Sequence, residues 1–60
     1  RVSLGPIALE PSARLVLARE HKAVWSERTR AIEFPATPGV SPTAAALGAL
    51  GAILGAVRAP

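Results

Sequence analysis

The sequence predicts a small chain that is non-globular or partner-dependent. An extended or hairpin-like N-terminal part precedes a single apolar C-terminal α-helix. Three observations predict this. Residues 41–57 read SPTAAALGALGAILGAV without one charge, and a helix with no polar face needs protein or lipid around it. The chain has sixty residues and no cysteine, so its core is small, and chains of this size usually depend on disulfides, a metal or partners. Upstream of the helix, Pro6, Pro11, Pro35 and Pro38 punctuate the chain, because proline lacks the N–H that a helix interior requires.

Residues 1–12, RVSLGPIALEPS, carry Gly5-Pro6 and Pro11 and read as extended chain with turns. Residues 13–34 carry most of the charge and admit two readings. RLVLAR and AVWSERTRAIEF form two strands if the chain reverses across Glu20-His21-Lys22. In the second segment Trp25, Glu27, Thr29, Ala31 and Glu33 would share one face. The good helix formers of AREHKA favour a helix instead, but Leu15, Leu17, Trp25 and Ile32 scatter around a helical axis, with Arg28 on the best apolar stripe. The strand-turn-strand reading is the one adopted. Residues 1–34 are therefore expected to form an extended or hairpin-like charged segment. Residues 35–42, PATPGVSP, read as a stiff linker with polyproline character.

The helix expected at 42–58 is better specified. Ser41 is a capping residue, and Pro42 suits the first helical position, where its missing N–H costs nothing. Arg58 suits the negative pole of the helix dipole. At 100° per residue, Leu47, Leu50, Leu54 and Val57 form one apolar face, with Ile53 at its edge. Ala44, Gly48, Gly51 and Gly55 form a second stripe beside it, and Ala45, Ala49, Ala52 and Ala56 lie opposite the leucines. Each glycine costs a helix about 1 kcal/mol relative to alanine. Three aligned glycines let another backbone approach closely, as in the GxxxG packing of membrane helices, here Gly51-x-x-x-Gly55. Burial of an Ala/Gly-rich helix in a soluble assembly, or plain compositional bias, are the alternatives.

A membrane span is marginal. Residues 42–57 reach about 24 Å against a hydrocarbon core of about 30 Å, and five large aliphatics contribute only about −2 kcal/mol toward insertion. If the helix did span, Lys22, Arg28 and Arg30 would outnumber Arg58 and keep the N-terminus in the cytoplasm. In composition, though in no diagnostic motif, the helix resembles viral fusion and lytic peptides, which are also rich in Ala, Gly and Leu and apolar all round. The first residue is Arg1 rather than Met, which fits a processed chain or part of a longer one. The apolar segment lies at the opposite end from a secretory signal.

Composition argues against several kinds of chemistry. Without cysteine and with one histidine, neither a disulfide framework nor a structural zinc site is expected. A nucleophilic triad would need His21 beside Ser3, Ser12, Ser26 or Ser41 and a carboxylate, in a cleft that so short a chain hardly builds. The glycines lack the strand before and the Lys-Ser/Thr after that a phosphate loop requires. No catalytic residue, cofactor, metal or small-molecule substrate is expected, and the chain is read as non-enzymatic. The net charge is +3, but Glu10, Glu20, Glu27 and Glu33 interleave with six of the seven bases, unlike an unbroken phosphate-binding stripe. Lys22, Trp25, Arg28 and Arg30 are read as a polar surface that meets a partner.

The expected function is that of a small accessory or structural subunit. Its helix packs in a membrane or protein complex, other protein subunits are its obligate partners, and the lipid membrane is a further one. A membrane-associated location follows. The alternative is a virion or capsid component whose extended N-terminal segment binds neighbouring shell proteins. A weaker alternative is a nucleic-acid-binding peptide acting through the bases of 14–30.

Overall fold

The centre of the fold is Ala31–Phe34, a strand with three of its four residues buried. The computed structural model describes residues 1–58, and within them five elements follow one another. They are β1 (Val2–Leu4), α1 (Pro11–His21), β2 (Val24–Ser26), β3 (Ala31–Phe34) and α2 (Pro42–Arg58). The strands form one antiparallel sheet in the order β1-β3-β2. Val2 pairs with Phe34 and Leu4 with Ile32, while Trp25 pairs with Ile32 from the other side. Directly paired residues share a face, so Val2, Leu4, Trp25, Ile32 and Phe34 lie together. Ser3, Val24, Ser26, Ala31 and Glu33 take the opposite face.

The first face and the two helices enclose the core. Leu9, Ala13 and Leu17 meet Ala23, Ile32 and Phe34, with Ala49, Ile53 and Ala56 of α2 completing the cluster. Leu17 and Ile32 are fully buried. The radius of gyration is 10.8 Å, close to the roughly 10.4 Å expected of a folded chain of this length. The expectation of a non-globular chain with a single helix is therefore overturned: two helices and a three-stranded sheet share one core.

The largest correction concerns residues 11–21, which form a helix and not a strand. Pro11 occupies its start, where proline is tolerated. Leu9, Ala13 and Leu17 recur every fourth residue and are all buried, with Val16 packed beside them. The helical plot failed because it included Trp25 and Ile32, which belong to strands. Over 9–17 alone, Leu9, Ala13, Val16 and Leu17 share one face, while Leu15 lies on the exposed side. The chain reverses at Lys22, which takes the left-handed conformation (φ 55°, ψ 34°), and the Ala23 N–H donates to the Leu17 carbonyl at 3.2 Å. This ends the helix and gives one of its last carbonyls a donor. His21, placed by the sequence at the chain reversal, is the last residue of α1; it is exposed, with its ring edge-on to Phe34 at 6.2 Å between centroids.

AVWSERTRAIEF is not one strand. It folds back through Glu27–Arg30, with Arg30 at φ 54° and Ser26 opposite Ala31. The residues expected on one face are accordingly split: Trp25 faces the core, Ala31 and Glu33 the other side, and Glu27 and Thr29 the turn. Residues 5–10 are tied to this hairpin by the Ile7 N–H, which donates to the Arg30 carbonyl at 2.9 Å. Gly5 makes that approach possible: a Cβ there would lie 2.7 Å from the Ala31 Cα. The segment before α2, expected as a stiff linker of polyproline character, instead contains a tight turn in which the Val40 N–H donates to the Thr37 carbonyl at 3.3 Å. Pro38 and Gly39, the latter at φ 82°, occupy its centre as a type II turn requires.

Candidate protein-interaction surface

α2 begins where Ser41 supplies a cap, its Oγ accepting the Ala44 N–H at 3.2 Å. The inward face of the helix consists of small residues and one isoleucine. Ala49, Ile53 and Ala56 are buried, and Ala45, Ala46 and Ala52 are half-buried. The alanine side therefore turns to the core, because small side chains allow α2 to lie close against α1 and β1.

The larger side chains are left outside. Leu47 is 65% exposed, Leu50 47%, Leu54 61% and Val57 59%. Together they expose several hundred Å² of aliphatic surface, within the range of about 300–600 Å² at which a patch on a monomer is often functional. Beside them lie Ala44, Gly48, Gly51 and Gly55, all exposed. A Cβ added to any of the three glycines would meet no atom of the rest of the fold within 4 Å. Among the described residues nothing requires glycine there, although each one weakens the helix by about 1 kcal/mol. Arg58 is the only charged residue of α2. No helix among the described residues is long and apolar enough to cross a membrane.

The four residues expected to form a polar surface are not all brought together. Trp25 and Arg30 line a groove of about 500 Å³ with Glu10, Arg14 and Glu27. Lys22 lies instead in a shallow pocket with Arg1, Val24 and Glu33, and Arg28 is exposed in the hairpin turn. Sequence reasoning missed Arg14, whose guanidinium carbon sits 4.8 Å from the centroid of the Trp25 ring. Its Nη1 donates to Glu27 Oε1 at 3.2 Å and its Nε to the Leu9 carbonyl at 3.1 Å. The Trp25 Nε1 donates to the same Glu27 oxygen at 3.1 Å. No local pattern announces this cluster, because α1 must first form and pack before residues 14 and 25 meet. Ser12 and His21 lie at opposite ends of α1, and Ser3 is on the sheet face turned away from the core.

No protein-family model matches the chain, and neither a curated protein nor a solved structure matches it significantly.

Proposed function

We propose that this chain is a non-enzymatic structural subunit that docks onto protein through the outward face of α2. One observation carries the reading: Leu47, Leu50, Leu54 and Val57 are exposed along one side of a helix whose other side is already packed. Leaving four aliphatic side chains in water forfeits roughly 25 cal/mol for each Å² that a partner could cover. The open glycine stripe beside them supports the same reading, since a backbone can come close where no side chain stands. An interfacial lipid helix usually carries a basic polar face. The reverse side of α2 is instead buried in its own fold, and this favours protein over lipid.

The test is native-size fractionation of the tagged chain from its source cells. The unaltered chain is expected in an assembly larger than the monomer, and Leu54→Lys is expected to release it. Elution of both as the monomer, or recovery of both on membranes without a difference, would overturn the reading. Co-fractionation with virus particles would identify the assembly as a shell.

A further inference from the structure

We infer that the partner of the α2 face is a second copy of this chain, joined through an antiparallel α2–α2 contact about a two-fold axis. The inference rests on the docking role assigned above to this face and specifies its occupant.

The exposed stripe reads the same from either end. Leu47 and Val57 lie five residues on either side of position 52, and Leu50 and Leu54 two residues on either side. A two-fold perpendicular to the helix at that level brings Leu47 of one copy to Val57 of the other, and Leu50 to Leu54. The same operation lays the leucine edge on the leucine edge and the glycine edge on the glycine edge. An isologous contact of this kind needs such self-complementarity.

Charge selects the direction. At 100° per residue Arg58 falls on the outward side of α2, between the leucine and glycine edges. A parallel pair would set the two Arg58 side chains together at one end of an otherwise uncharged interface. The antiparallel pair sends them to opposite ends and opposes the two helix dipoles, which is the favourable arrangement.

Area sets the strength. A helix about 25 Å long facing its twin covers roughly 600 Å² per copy, near the lower bound of about 1,200 Å² in total for a specific interface. The dimer should therefore be weak, with dissociation in the micromolar range.

The chain has no cysteine, so single cysteines report the register cleanly. Leu47→Cys and Val57→Cys chains are prepared separately, both positions being exposed and outside the core, and circular dichroism checks the fold. Oxidation of the mixture is expected to give mainly the mixed disulfide dimer, with each variant alone cross-linking poorly. Efficient cross-linking of each variant alone, with no preference for the mixed pair, would overturn the antiparallel register. In parallel, sedimentation of the purified unaltered chain from micromolar to millimolar concentration should follow a monomer–dimer equilibrium. Leu54→Lys should weaken this association about 30-fold or more, as loss of a central anchor does. A monomer throughout that range, while the chain from cells still enters a Leu54-dependent assembly, overturns the second copy but leaves the docking role standing. A monomer in both settings overturns both.

Discussion

Arg14 of α1 lies over the ring of Trp25 of β2, its guanidinium carbon 4.8 Å from the ring centroid, and Glu27 accepts a hydrogen bond from each of them. This small cluster ties the first helix to the hairpin at the edge of the core. A cation over an indole contributes about 0.5–1 kcal/mol at an accessible site, and an exposed ion pair about 0.2–1 kcal/mol.

Arg14→Ala should therefore lower stability by about 1 kcal/mol. Trp25 is the only tryptophan, so its emission reports the change directly, and denaturant titration measures the loss. Glu27→Gln, which keeps an acceptor for the indole N–H, should cost less. An Arg14→Ala chain with unchanged emission and midpoint would mean that the stacked geometry does not persist in solution.

Leu17 is fully buried at the meeting of α1 with the sheet. Leu17→Ala should cost about 2–5 kcal/mol, a large part of the stability available to a chain of this size. Loss of the cooperative thermal transition by circular dichroism is the expected result. Leu15→Ala, on the exposed side of the same helix, should leave the transition within a few degrees of its original midpoint.

Gly5 and Gly51 should respond to alanine in opposite directions. At position 5 the new Cβ would fall 2.7 Å from a backbone atom of Ala31, and overpacking of this kind costs about 1–3 kcal/mol. At position 51 the Cβ meets no atom of the rest of the fold within 4 Å, and Gly51→Ala should stabilise the monomer by up to about 1 kcal/mol. For a domain of this size that is roughly 4–8 °C in Tm, measured at a concentration low enough to keep the chain monomeric. Equal effects at the two positions would contradict the packing described for Gly5.

Ser41→Ala removes the acceptor of the Ala44 N–H and should cost about 1 kcal/mol. Ser41→Asp should retain most of that stability, since aspartate also caps and its charge suits the helix N-terminus. Thermal melts of the three forms distinguish a cap from an idle surface hydroxyl.

Local chemistry is enough to account for where α2 begins and for the turn before it. Ser41 and Pro42 are start signals that act within one turn of helix, and Pro38-Gly39 specifies its turn through the backbone angles those two residues favour. The stripes along α2 also follow from helical spacing alone. Tertiary structure decided which of them faces inward: the alanine side packs closely against α1 and β1, and this leaves the bulkier leucines outside. Residues 11–34 were decided at the same level. Their local preferences are divided between helix and strand. Ala13 and Leu17 bury a helical face only because Ile32 and Phe34 lie beneath them, and AVWSERTRAIEF breaks at Glu27–Arg30 so that β3 can pair with β1 as well as β2. The cluster of Arg14, Trp25 and Glu27 was beyond reach of the sequence for the same reason. Its members lie on different elements, and only the packing of α1 beside the hairpin brings them within hydrogen-bond distance.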